Sequence, residues 1–306
     1  MRILVVGAGA TGGLFGGLLA HAGRDVTFLV RAARAAQLRE RGLQIRSPRG
    51  DLNVAPQIAQ SETIAAPYDV ILLGLKAYAL EAAMDDFAPA VGTDTLILPL
   101  LNGMRHIDLL VERFGDERVL GGVCIVASTL DDDGRIIQLN EAQQLIYGER
   151  SGKNGARARE MDAALQGAGF TATLSDHILR DMWEKWVFLA SLAGSTCLLR
   201  GSVGSIVAAG GTSVISGIFD ECASVAHDAG QTPSDAFVAS MRPHLTTAGS
   251  PLTASMYRDM LAGNRVEADQ ILGDLLARAR GYSLQTPLLE AAYTTLNVYQ
   301  RGLTNR

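Results

Sequence analysis

Cysteine is scarce in this chain. Cys124, Cys197 and Cys222 are odd in number and far apart along 306 residues. That spacing suggests neither a disulfide framework nor a metal cluster. Reduced thiols in a cytoplasmic setting are the expectation. The five histidines are scattered at 21, 106, 177, 227 and 244. No H-E-x-x-H, C-x-x-C or G-x-S-x-G occurs, so metal-assisted hydrolysis and a serine hydrolase elbow lack support. A basic excess is missing too: the formal charge of −5 sets no footprint for nucleic acid. The uncharged run Trp186 to Leu199 falls short of the ~20 residues that span a bilayer. The uncharged stretch Ile3 to Ala20 follows Arg2 in the manner of a signal peptide, but six of its residues are glycines. A soluble protein is expected. There is no internal repeat and no low-complexity linker.

What is present suits a globular enzyme. Apolar residues make up 48% and charged residues 19%, enough for a sizeable core. The first half alternates strand-like and helix-like segments. "RILVVG", "DVTFLVR", "YDVILLGLK" and "TDTLILPL" read as buried strands, and "ATGGLFGGLLAHAG" as a helix closed by Gly23. The alternation predicts a parallel sheet with helices on both faces. "VLGGVCIVAS", "GRIIQLN" and "QQLIYGE" read as three further strands, the turn "DDDG" among them, that extend this sheet with antiparallel neighbours. From Asp176 helical periodicity takes over, with "VEADQILGDLLARARG" as one of several helices. The expected division is therefore 1–175, an α/β Rossmann-type domain, and 176–306, an all-α domain.

"VVGAGATGG" places Gly7, Gly9 and Gly12 as a G-x-G-x-x-G between a strand and a helix. Gly7 allows the tight turn, Gly9 lets a pyrophosphate approach, and Gly12 lets the helix pack close. The helix N-terminus offers unpaired N–H groups to the phosphates. The second strand ends in Arg31, where an NAD site would carry Asp or Glu. A guanidinium there can grip a 2′-phosphate. Such a contact contributes roughly 1.5–3 kcal/mol, a ~10- to 150-fold preference for NADP over NAD. Arg34 would assist.

Two strand ends aim chemistry at the crevice beyond the parallel strands: "GLKAY" with Lys76 and "PLLNGM" with Asn102. Lys185 opens the uncharged run. On a helix it shares a face with Met182, Phe188, Leu189 and Leu192, so its ammonium must cross apolar surface. It reads equally as a surface lysine paired with Asp181 four residues earlier. Glu267 is a site carboxylate or a boundary residue, on a helix face with Met260 and Ile271. Ser255, twelve residues earlier, is a hydroxyl donor or a helix cap.

Taken in order, "GAGATG", Arg31, "LKAY", "LLNGM", "WEKW", "ASMYRDM" and "RVEADQILGDLLARAR" resemble the ketopantoate reductase (2-dehydropantoate 2-reductase) family over nearly the whole chain. The resemblance implies a Rossmann domain, a helical 6-phosphogluconate dehydrogenase-like domain, and NADPH-dependent reduction of 2-dehydropantoate to pantoate. It implies Lys185 as general acid with Glu267 near it at the nicotinamide end. Asn102 would touch cofactor and substrate, and Ser255 would bind substrate. The loop residues Gly7, Ala8, Gly9, Ala10, Thr11 and Gly12 would hold the cofactor with Arg31, Lys76, Glu267 and a backbone contact at Ala127. It implies a small-molecule 2-keto acid as partner, without nucleic acid or membrane, and allows a homodimer. The family usually carries asparagines where this chain has Leu189 and Ala193. A more apolar 2-keto acid, a different hydroxy acid of the wider group, and a non-catalytic NADP(H) sensor therefore stay open.

Overall fold

The structure, a computed structural model, describes residues 1–304; residues 305 and 306 of the expected second domain lie outside the described residues. The chain divides into two compact units. The first comprises Met1–Leu101 and His106–Leu179; the second comprises Asn102–Arg105 and the chain from Arg180 onward. The short segment around Asn102 thus belongs with the helical unit.

The first unit runs β1 (Arg2–Val6), α1 (Ala10–His21), β2 (Asp25–Leu29), α2 (Ala32–Arg41), β3 (Leu43–Arg46), β4 (Leu52–Val54), β5 (Gln57–Ala59), β6 (Val70–Leu73), α3 (Leu80–Phe87), β7 (Leu96–Pro99), α4 (Arg105–Phe114), β8 (Gly121–Leu130), β9 (Ile136–Gly148), α5 (Ala156–Leu165) and β10 (Thr171–Leu174). Five strands form a parallel sheet in the order β5-β2-β1-β6-β7. The fully buried pattern of β6 and β7 fits their place in a sheet covered on both faces. This is the expected Rossmann-type architecture.

The later strands depart from expectation. The strands proper do not extend the parallel sheet, to which they are linked through a parallel bridge between Val119, just ahead of β8, and Ile97 of β7. They build a second sheet, β10-β9-β3-β4, with β8 antiparallel to β9. "GRIIQLN" and "QQLIYGE" are one strand, β9, interrupted by a bulge where the register jumps between Val126 and Ser128 of its partner. Asn140 closes that bulge by accepting the Ala142 N–H at 3.2 Å. The second sheet exists because α1 is apolar all round and needs cover on both sides. Leu14, Phe15, Leu18 and Leu19 share one core with Ile3, Val5 and Phe28 of the first sheet and with Leu43, Ile45 and Leu145 of the second.

The second unit is helical: α6 (Ile178–Leu199), α7 (Val203–Ala208), α8 (Thr212–Asp228), α9 (Asp235–Leu245), α10 (Ser255–Leu261), α11 (Asp274–Gly281) and α12 (Pro287–Thr304). Acidic side chains satisfy helix starts here. Glu184 accepts the Ser234 N–H at 2.8 Å, ahead of α9. Glu221 accepts the Leu288 and Leu289 N–H groups of α12 at 3.1 and 2.8 Å. Among the described residues no helix is long and apolar enough to cross a membrane. α6 fills the middle: its Gly194 packs against Ile218 of α8 and Ala292 of α12.

Cys197 and Cys222 are fully buried, and burial pushes both thiols up to about 12. The reactive thiolate is therefore almost absent at pH 8. Iodoacetamide at pH 8 should leave both residues unmodified in the native protein and alkylate both in guanidinium, as read by peptide mass spectrometry. Alkylation of either at the same rate in both states would contradict the burial described.

Candidate active site

The first unit contains a glycine-lined cradle. Gly7 turns the chain at φ +92° directly after β1, and its N–H still extends the ladder to Leu29 O at 3.0 Å. Gly12 sits so close to the next strand that a Cβ would meet the Gly7 carbonyl, with the Gly74 Cα at 2.9 Å. Gly74 ends β6, and its N–H donates to Val6 O at 3.0 Å. Only hydrogens fit where these two glycines face each other. Gly9 differs. A Cβ there would find only the Gly74 carbonyl, at an ordinary 3.7 Å. The protein itself does not need glycine at that position, but a closely approaching phosphate does. Gly9 caps α1, whose first turn carries no acidic residue. Ala10, Thr11 and Gly12 supply its unpaired amides, and the Gly13 N–H is the first to bond back, to Gly9 O at 2.8 Å. This cradle fits a dinucleotide pyrophosphate.

Arg31 is exposed at the N-cap position of α2, two residues beyond β2. Arg34 does not stand beside it as a second free cation. Its guanidinium is engaged with protein acceptors, among them the Ala8 carbonyl. Lys76 is exposed at the start of a short 3-10 turn after β6. Ala127 lies in the β8–β9 bulge, outside the ladder register.

The second unit, by itself, gathers three further sequence motifs around Trp186. Its indole Nε1–H donates to Ile271 O at 2.9 Å, and the side chain is 1% exposed. Ile271 lies in a π-helical turn, Asp269–Gly273, that leads into α11. Gly103, at φ +79°, presses its backbone against the Gln270 carbonyl of the same turn, and a Cβ on it would stand 3.9 Å from Trp186 Nε1. Three motifs distant in sequence therefore share one anchor. Asn102 precedes Gly103, Lys185 precedes Trp186, and Glu267 precedes the π turn. The ring of Trp186 packs against Trp183 at 4.9 Å with the two planes tilted by 45°, and the Arg278 guanidinium lies over both rings.

Two local expectations are overturned. Glu267 is not on a helix with Met260. Met260 ends in α10, and Glu267 lies in the connecting segment, its carbonyl accepting the Ile271 N–H at 3.2 Å. The residues Gly263 and Asn264 break the helix between them. Ser255 is not a cap: Ala254 holds the N-cap position and Ser255 is the exposed first residue of α10. Lys185 is half-buried on α6, with Phe188 and Leu189 also half-buried on its face, while Ala193 is 2% exposed.

Residues 3–152 match the family model described as ketopantoate reductase PanE/ApbA, and residues 177–300 match its C-terminal counterpart. The chain belongs to the ketopantoate reductase family. Among its relatives is the uncharacterized oxidoreductase YkpB of Bacillus subtilis, 36% identical over 98% of this chain and 99% of that one. A 2-dehydropantoate 2-reductase of Halobacterium salinarum is 27% identical over 98% of this chain and 99% of its own length. The crystal structure of 2-dehydropantoate 2-reductase from Geobacter metallireducens GS-15 superposes with a TM-score of 0.87 at 30% identity, covering 97% and 99% of the two chains. The protein is thus an oxidoreductase of the ketopantoate reductase family.

Within this family fold, sequence reasoning missed Gly74, Gly103 and Trp186. Gly74 carried a readable signal, a glycine at the end of a buried strand, where close backbone approach is common. Trp186→Phe tests the anchor. It keeps an aromatic ring and removes the donor to Ile271 O. Stability in urea should fall by about 1–3 kcal/mol, with faster amide exchange across 269–273. Unchanged stability and exchange would mean that this bond does not hold the turn.

Proposed function

We propose that the chain reduces a 2-keto acid to the 2-hydroxy acid with NADPH, in the cytoplasm, and that 2-dehydropantoate is the first substrate to test. The observation that carries this reading is the common anchoring of Asn102, Lys185 and Glu267 around Trp186. When bound, NADPH supplies the hydride for the carbonyl carbon. Negative charge then develops on the carbonyl oxygen, and a donor must stabilise and protonate it. Lys185 takes that role. The chain has only three lysines, at 76, 153 and 185, and uses arginine at its other cationic positions. Arginine does not release its proton in proteins, so of the two permanently basic side chains only lysine can act as the donor. Asn102 and Ser255 would offer hydrogen bonds to the acid, and Glu267 would act beside the donor.

The cofactor would be held by Gly7 to Gly12, with Arg31 on the 2′-phosphate and Lys76, Asn102, Ala127 and Glu267 as further contacts. A second reading, a 2-keto acid with an apolar side chain, is favoured by Phe188 and Leu189, which leave hydrocarbon partly accessible on the Lys185 face. Ala193 is buried and contributes little to that surface. A sensor has no need of a proton donor.

NADPH oxidation should be followed with 2-dehydropantoate and a panel of apolar 2-keto acids. Lys185→Ala should lower kcat/KM by about 10²–10⁴ on whichever acid is turned over. Turnover confined to apolar acids would select the second reading. Bound NADPH with no Lys185-dependent turnover would reject catalysis on these acids. Arg31→Ala should lower the preference for NADPH over NADH by ~10- to 150-fold, and an unchanged preference would remove Arg31 from the 2′-phosphate site.

A further inference from the structure

Arg34 lies three residues after Arg31, on the first turns of α2, and is half-buried. Its guanidinium reaches back 26 residues. Nε and Nη2 both donate to the Ala8 carbonyl, at 3.1 and 2.9 Å. Nη1 donates to the Gly134 carbonyl at 2.8 Å and to Gln37 Oε1. A guanidinium has five N–H groups, and these contacts occupy most of them. Ala8 is the residue between Gly7 and Gly9 of the phosphate loop.

We propose that Arg34 is a positioning residue that fixes the phosphate loop in its binding shape, rather than a ligand of the 2′-phosphate. This rests on the reading of Gly7 to Gly12 as the dinucleotide loop. The peptide between Ala8 and Gly9 is trans, as are all the peptides described, so its C=O and N–H point in opposite directions. Two donors that hold the Ala8 oxygen on one side therefore aim the Gly9 N–H to the other. A peptide flip would break both bonds at once. The acceptors that Arg34 reaches are all neutral, so none of its hydrogen bonds is to a carboxylate.

The far end of the fork is built with equal care. The turn "DDDG" between β8 and β9 is closed by the Gly134 N–H on Asp131 O at 2.9 Å and by Arg135 on the Asp131 carboxylate at 2.7 Å. It presents two carbonyls to α2: Gly134 to Arg34, and Asp133 to Gln37 Nε2 at 2.5 Å. Gly134 has φ +73°, and a Cβ there would stand 2.6 Å from Arg34 Nη1 and against Gln37. The first residue of β9 also braces α1, because Ile136 packs against Gly13. The hairpin tip, α2 and the phosphate loop are thus joined through one side chain.

The two roles predict different cofactor selectivity. A phosphate ligand serves NADPH alone; a loop lock serves NADPH and NADH equally. Dissociation constants for both should be measured by fluorescence titration on folded Arg34→Met, Arg34→Lys, Gly134→Ala and Arg31→Ala. Arg34→Met and Arg34→Lys should weaken both cofactors by the same factor, about tenfold, with the ratio within about twofold of wild type. Lysine should not rescue, since it keeps the charge and loses the fork. Gly134→Ala should give the same parallel loss with Arg34 intact, while Arg31→Ala should weaken NADPH alone. In ligand-free protein, amide exchange over residues 9–13 should rise by about threefold or more in the Arg34 and Gly134 variants. Loss of NADPH alone in Arg34→Met would overturn the proposal in favour of a phosphate ligand. Unchanged affinities together with unchanged exchange would overturn it too. A wild type that binds neither cofactor would reject the dinucleotide reading itself, and the exchange data would still decide whether Arg34 holds the loop.

Discussion

The first unit depends on how closely one helix can approach its sheet. α1 carries glycine at positions that face the backbone of β6 or the side chains of the two sheets. Gly12 and Gly74 leave no room for a methyl group on either chain, and Gly16 lies against Val5 and Phe28 of the parallel sheet. On the opposite side Gly17 meets Leu43 and Ile45 of the second sheet. A helix that slides between two sheets at this distance must have almost no side-chain thickness on those faces. Adding one methyl to such packing costs typically about 1–3 kcal/mol, because helix and strand cannot move apart without disturbing a whole layer. The same closeness fixes where the N-terminus of α1 lies relative to the carboxyl ends of β1 and β6. Stability and the placement of the glycine loop therefore rest on one set of close glycine contacts.

The second unit solves a different problem. Its candidate site residues come from a turn, a helix and a loop that have no continuous sheet to align them. A buried indole supplies the alignment, because it is wide enough to pack against Trp183 and still carries one polar donor for a backbone carbonyl. Around it, Asp274 and Arg278 of α11 pair at 3.3 Å, and the Arg278 guanidinium covers the aromatic pair. The scarcity of lysine sharpens the contrast. Arginine does the structural work at sites such as Arg34, Arg150 and Arg278, holding carbonyls, carboxylates and rings. Lysine at 185 has a property that arginine lacks, a proton it can give up.

The parallel sheet and the glycine loop were legible in the sequence because each is local. β1, β2, β6 and β7 are uninterrupted apolar runs, and Gly7, Gly9 and Gly12 follow the first at fixed spacing. Arg31 was legible because its place follows from the end of β2. The second sheet was not. β3 and β4 are four and three residues long, partly polar, and earn their pairing only from the far side of α1. The bulge in β9 looked like a turn between two strands for the same reason: the pattern breaks there whether or not the strand resumes. Arg34 and Arg31 look alike as letters. Nothing local says that one of them reaches a carbonyl 26 residues earlier. Glu267 looked helical because "VEADQILGDLL" has helical periodicity, but Gly263 and Asn264 end the preceding helix and the new one starts only at Ala268.

The π turn at Asp269–Gly273 has a consequence for everything after it. A wider turn takes in one more residue than an α-helical one over the same rise, so it acts as a phase shift. Each residue of an α-helix is about 100° around the axis from the last. The extra residue therefore rotates the whole of α11 by about that angle relative to an unbroken helix. With the shift, Leu275, Leu276 and Ala279 face the core and Arg278 meets the tryptophan rings. Without it, the same sequence would present a different stripe. A single-residue deletion in this turn would thus be felt less at the turn itself than along the two helical turns that follow, where each side chain would arrive out of phase with its partner.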